Sequence, residues 1–244
     1  MKRVFLLLTA VFLLAACSPT DPLPQPRRVV DPTQVSGAVQ APDWDIAALR
    51  YEYSGQGVDY RKAGLAPVFL VLRNKSSLTP RVLLDEVQGI SQNGTYLPYS
   101  VDEAERLVTA SETFKLNAKN ALKSGTLGAA IGAGLGAIIG SITGGDAIAS
   151  GAALGAGFGG MALGVASVPE AQRKLKKVIR KDLEQHAWNE TPVAPHMTRM
   201  GYVYLPGEED IDRVRVSVRV EDRVSTYELP VVGVRDQGGD RERE

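Results

Sequence analysis

Apolar residues fall in two rhythms along this 244-residue chain. Between Trp44 and Tyr99, short apolar or alternating runs cover Ile46 to Tyr53, Pro67 to Arg73, Arg81 to Ile90 and Thr95 to Tyr99. Runs of that length, bounded by turn residues, predict β-strands. The breaks are Ser54-Gly55-Gln56-Gly57, Asn74-Lys75-Ser76-Ser77 and Gln92-Asn93-Gly94. Their residues accept positive φ or bond their own backbone, and the last break predicts a hairpin. The same rhythm returns at Met197 to Leu205, Ile211 to Val220 and Arg223 to Val232. Val214, Val216, Val218 and Val220 alternate with Arg213, Arg215, Ser217 and Arg219, which predicts a strand with one dry and one wet face. Neither block holds more than about four strands, so the two are expected to share one core in a sandwich-like domain, with everything from Ser100 to Pro195 inserted.

The insertion follows the second, helical rhythm. Ser100-Val101-Asp102-Glu103 has capping-box spacing, and Ala104, Leu107, Ser111, Phe114, Ala118 and Leu122 then recur at helical intervals, predicting an amphipathic helix over 100–123. Pro169-Glu170 opens a second one within 170–195, where Leu175, Val178, Ile179 and Leu183 share a face. Arg173, Lys174, Lys176, Lys177, Arg180 and Lys181 crowd its other faces. Such a cation cluster suits anionic lipid headgroups, at about 1 kcal/mol per charge near the surface; it equally suits a solvated face laid along the partner helix.

Between these helices the charge disappears. Ser124 to Gly145 is 22 residues without a charge and Ala147 to Pro169 is 23 more, parted only by Asp146. At 1.5 Å per residue the first run makes a helix of about 33 Å, against a hydrocarbon core of roughly 30 Å. Of the 25 glycines, 14 lie between Gly125 and Gly164. Gly128, Gly132, Gly136, Gly140 and Gly144 recur every fourth residue; Gly151, Gly155 and Gly159 repeat the spacing, with Gly164 beyond. That spacing sets them on one helical face, where two backbones can close on each other in lipid. In water each interior glycine costs a helix roughly 0.8–1 kcal/mol relative to alanine. Gly144-Gly145-Asp146 supplies a turn, so 124–169 is expected to form an antiparallel helical hairpin with Gly145 and Asp146 at its polar tip. The hairpin either spans the membrane or packs within protein, and Phe158, Met161 and Val165 weigh against the third reading, a flexible linker. No Gly-Lys-Ser/Thr follows the glycines, so a nucleotide loop is rejected. Residues 125–160 resemble the two-transmembrane glycine-zipper segment of outer-membrane lipoproteins of the rickettsial surface-antigen type. The resemblance implies an architecture and no chemistry.

The amino terminus bears on location. Met1-Lys2-Arg3, the uncharged Val4 to Leu14, and Ala15-Ala16-Cys17 have the order of a secretory signal over 1–16, whose eleven-residue apolar run is too short to span. Leu14-Ala15-Ala16-Cys17 resembles a bacterial lipobox and contains the only cysteine of the chain. That resemblance implies acylation of Cys17, cleavage before it and, with Ser18 rather than aspartate next, an outer-membrane address. Cleavage would remove Lys2 and Arg3, leaving 26 basic and 28 acidic residues and a net charge of −2. Ser18 to Pro42 has six of the fourteen prolines and few large apolar residues, so 17–42 is expected to be an extended tether. Val68-Phe69-Leu70-Val71-Leu72-Arg73-Asn74-Lys75-Ser76 resembles the strand-then-Asn turn of immunoglobulin-like domains in bacterial lipoproteins. The expected fold class is therefore α+β: an immunoglobulin-like β-sandwich (43–99 and 196–233) with an inserted glycine-zipper hairpin flanked by amphipathic helices, and a disordered charged tail at 234–244.

Charge and candidate chemistry narrow the function. With 28 basic and 28 acidic residues, no net field draws the chain toward nucleic acid. His186 and His196 are the only histidines, too few with Cys17 for a metal cluster or a disulfide. Asp85 and Glu86 would point to opposite faces of a strand, and Glu208, Glu209 and Asp210 sit in a turn after Pro206-Gly207. No nucleophile has a base at motif spacing. The expectation is a non-enzyme without cofactor, metal or small-molecule substrate. It is a lipid-anchored structural protein of the outer membrane with its folded part in the periplasm, homo-oligomeric through the zipper, with membrane lipid and an envelope protein as partners. An accessory or pore-forming subunit of an envelope transport assembly is the alternative.

Overall fold

A computed structural model of the chain describes residues 29–53, 58–124 and 168–233. The expected signal, Cys17, the glycines from Gly128 to Gly164, the Gly145-Asp146 tip and the tail at 234–244 lie outside the described residues.

The strands are β1 (Val39–Gln40), β2 (Trp44–Arg50), β3 (Leu65–Asn74), β4 (Arg81–Val82), β5 (Gln88–Ser91), β6 (Gly94–Tyr96), β7 (Thr198–Pro206), β8 (Arg213–Val220) and β9 (Arg223–Val232). The helices described are α1 (Val101–Ala110), α2 (Glu112–Ser124) and α3 (Val168–His186). The fold is α+β. The nine strands among the described residues form one curled sheet in the order β6-β5-β8-β9-β2-β3-β7, with β1 added to β2 and β4 to β8. Strands from before and after the central helices thus interleave: β3 pairs antiparallel with β7 from Leu65↔Pro206 to Arg73↔Thr198, and β5 pairs with β8. The halves of the sheet join at a parallel seam of two residue pairs, Ala48↔Val231 and Leu49↔Val232.

Two apolar cores explain the sequence pattern. In β2, β3 and β7, Ile46, Leu70, Leu72, Val203 and Leu205 enter a core shared with Val214, Val216, Val218 and Leu229. The alternate residues Leu49, Phe69, Val71, Tyr202 and Tyr204 enter a second core under the helices, with Val108, Phe114, Leu175, Ile179 and Leu183. Strands dry on both faces read as unbroken apolar runs, whereas β8, covered on one face, keeps its alternation. Pro67 is tolerated inside β3 because its carbonyl accepts from Tyr51 N–H just past the end of β2, where no return donor is needed.

Several elements differ from the sequence expectation. The run Arg81 to Ile90 is not one strand: a 3-10 turn at Leu84–Glu86 parts β4 from β5 and exposes both Asp85 and Glu86. The expected Thr95-to-Tyr99 strand is the shorter β6, after which Tyr99 makes an isolated bridge to Tyr204. The single helix expected over 100–123 is two. Ser111 ends α1 by donating its hydroxyl to the Val108 carbonyl at 2.6 Å, and the same oxygen accepts the Phe114 N–H at 3.1 Å to start α2. The Ser100/Glu103 capping box is present at the head of α1, and the Ser100 backbone N–H holds the Glu103 carboxyl below its usual range.

The tether expected over 17–42 is docked from Val30 onward. Val30, Pro32 and Val35 are buried, β1 pairs with β2, and Asp31 caps a 3-10 turn while pairing with Arg73 at 2.9 Å. These contacts offset the ordering entropy that composition alone leaves uncompensated. Arg73 also holds the buried Asp45 at 2.6 Å, with Lys75 on its other oxygen at 2.8 Å. Gly37 lies in the left-handed region at φ 74°, and a Cβ there would fall 2.2 Å from Cγ of Pro230. Only glycine lets this loop close over β9.

Candidate functional site

The helices that border the uncharged stretch form one layer on the sheet. α2 is described as far as Ser124 and α3 from Val168, and α3 packs against both α1 and α2. The direction of packing follows from the ion pairs: Asp102 meets Arg180 at 3.0 Å, whereas Glu105, three residues later, meets Lys176, four residues earlier, at 3.0 Å. Helices α1 and α3 are therefore antiparallel.

Glu105 is the centre of this contact. It is only 3% exposed, on the inward edge of α1 beside Ala104 and Val108. One oxygen takes Lys176 and the other takes Arg180 at 3.1 Å. Arg180 also donates to Glu184 at 2.8 Å, and Glu184 and Asp102 raise its pKa further. A buried carboxylate with both oxygens paired satisfies the desolvation cost that a lone charge could not.

The six cations singled out in the sequence thus divide. Lys176 and Arg180 clamp α1 to α3, and Lys174 pairs along its own helix with Glu170 at 3.1 Å. Lys181 is exposed one residue before the buried Asp182, and Arg173 and Lys177 are exposed with no carboxylate partner among the described residues. An open cleft of about 470 Å³ lies along α3 and reaches Glu105. Part of the cluster is thus laid along the partner helix α1.

The structure also assembles a group that sequence reading missed. Asp182, on the sheet side of α3, accepts from the Tyr60 hydroxyl at 2.6 Å and lies 3.1 Å from Nδ1 of His186. Tyr204 donates to the Leu183 carbonyl at 2.7 Å beside it. The Asp182/His186 spacing of four was visible in the sequence; Tyr60, 122 residues away, was not. Burial pushes the hydroxyls of Tyr60, Tyr202 and Tyr204 well above the ordinary tyrosine range, and Asp182 adds to it. With Tyr60 1% and Asp182 7% exposed, the group acts as a polar rivet between α3 and the chain before β3.

His196 sits in an exposed turn at φ 59°, away from this cluster. Glu208 and Asp210 are exposed, and Glu209 accepts from Asn93 at 3.3 Å across the β5–β6 hairpin tip. Among the described residues no group of acidic, histidine or cysteine side chains could hold a metal ion, and no helix is long and apolar enough to cross a membrane. No protein family, curated protein or solved structure matches the chain.

Proposed function

We propose that this chain is a lipid-anchored structural protein of the bacterial outer membrane, in which residues 124–169 form a membrane-inserted glycine-zipper hairpin. The observation that carries the reading is the pair of borders of that stretch. α2 and α3, which lead into it and out of it, are packed on each other and on the same sheet. A stretch so held can enter a bilayer as a unit. The glycine faces then favour close helix packing within the hairpin and between copies, which gives the protein a scaffolding role as a homo-oligomer.

The amino terminus is compatible with this placement. Twelve residues separate Cys17 from Val30, where docking begins, so an acylated Cys17 keeps the folded body within about 45 Å of the lipid. Two or more acyl chains hold a protein durably. We further infer that the curled sheet, with its core between β2-β3-β7 and β8-β9, is an immunoglobulin-like sandwich into which the helices and the hairpin are inserted.

The test is carbonate and urea extraction of membranes carrying the Cys17→Ser chain, exported by a conventional signal peptide. Retention is the expected result. Complete release would mean that acylation is the only anchor, and it would overturn the inserted hairpin.

A further inference from the structure

The cations of α3 that Glu105 does not claim have a common setting. Arg173 and Lys177 are four residues apart, so they form one stripe along the helix, and both line the open cleft beside Lys174. Across that cleft, cations outnumber carboxylates five to two, the two being Glu105 and Glu170. Both oxygens of Glu105 are taken by Lys176 and Arg180, Arg180 also pairs with Asp102 and Glu184, and one oxygen of Glu170 takes Lys174. The surplus positive charge is therefore fixed on Arg173 and Lys177, while Glu105 holds the neighbouring cations in place around them.

We propose that this cleft seats the phosphate of an anionic phospholipid headgroup, with Arg173 and Lys177 as its direct contacts. The inference rests on the reading of 147–169 as membrane-inserted, and it adds depth to charge. At 1.5 Å per residue, Arg173 lies about 6 Å and Lys177 about 12 Å along the helix beyond Pro169. A headgroup layer is roughly 5–8 Å thick on each side of the hydrocarbon. Arg173 falls within it, and the long stem of Lys177 reaches back toward it. The guanidinium offers paired donors to phosphate oxygens and the ammonium a point charge. Arg180 and Lys176, tied to α1, hold the helix at that depth.

The experiment uses the full chain with Cys17→Ser in neutral detergent. Its thermal midpoint is measured with added phosphatidylglycerol, phosphatidylcholine or inorganic phosphate. Phosphatidylglycerol should raise the midpoint saturably, by about 3–5 °C at ten times its dissociation constant. Phosphatidylcholine and inorganic phosphate should not. The R173Q/K177Q double variant should lose most of that rise, whereas R219Q/R223Q, which removes equal charge from exposed positions of β8 and β9, should keep it. Equal responses to the two lipids, an equal response to inorganic phosphate, or an undiminished rise in R173Q/K177Q would each overturn the headgroup site. Carbonate extraction of the same chain separates the two readings. Resistance without a phosphatidylglycerol-specific rise removes the headgroup site and leaves the inserted hairpin. Extraction with the specific rise intact removes the insertion and leaves a surface site for the same lipid.

Discussion

Tyr60 shows how single residues hold this protein together, because its hydroxyl is the buried donor to an equally buried carboxylate. Tyr60→Phe should cost about 1–3 kcal/mol in urea unfolding, since Asp182 stays buried with a donor missing; an unchanged midpoint would remove the rivet from the account. The buried tyrosines also set an alkaline limit. Their folded pKa values are raised above the ordinary value of 10.0, so the stability they contribute is complete below that value and falls as pH rises through it. Tyrosinate absorbance from Tyr60, Tyr202 and Tyr204 should therefore appear together with loss of the sheet circular dichroism signal, and not before it. The opposite sign applies at Asp31 and Glu190, lowered by hydrogen bonds from Thr33 and Arg81 respectively. Their contribution is present above the ordinary carboxylate range and is lost as pH falls below it. Gly201 is a third kind of residue: a Cβ there would meet Cα of Trp188 at 2.8 Å, where backbone must move. Gly201→Ala should lower stability by about 1–3 kcal/mol in the same unfolding assay.

Among the elements, the contact between α1 and α3 depends most on charge. Glu105→Ala removes the shared carboxylate from Lys176 and Arg180, whose side chains are about half exposed, so the loss should be modest, about 1–2 kcal/mol. Hydrogen exchange should quicken along α1 while β3 and β7 keep their protection; uniform quickening would mean that the helices and the sheet open as one unit. What was legible at this scale depended on how far apart the partners lie. The Ser100/Glu103 box, the alternation of β8 and the β5–β6 hairpin are written within a few residues of each other and were read from sequence. The break at Ser111 was hidden because serine at that position fits the polar margin of a helix as well as its end. The docking of 30–42 was hidden because Asp31 finds Arg73 42 residues later, and Val29-Val30 and Val35 are too short to show a strand or helix rhythm. The six cations of α3 could not be apportioned for the same reason, since Glu105 lies 75 residues before Arg180.

For the molecule as a whole, the cores described are built by residues of the sheet and of the three helices laid on it. Replacing 125–167 with a Gly/Ser linker of equal length in the Cys17→Ser chain should leave the urea midpoint within about 1 kcal/mol of its value and make the protein fully extractable by carbonate. A body that fails to fold would show that the stretch supplies packing to the described core. Order of synthesis follows from the β3–β7 ladder. β3 is made early, yet its second neighbour is β7, and β2 must wait for β9, nearly the last strand in the chain. Until those strands emerge, the apolar residues of β2 and β3 have no cover on one edge and the sheet cannot close. The uncharged stretch, by contrast, is complete before β7 begins. A chain crossing a membrane amino terminus first would commit that stretch to lipid or to protein while the body is still open, so the fate of the stretch is decided before the fold that carries it exists.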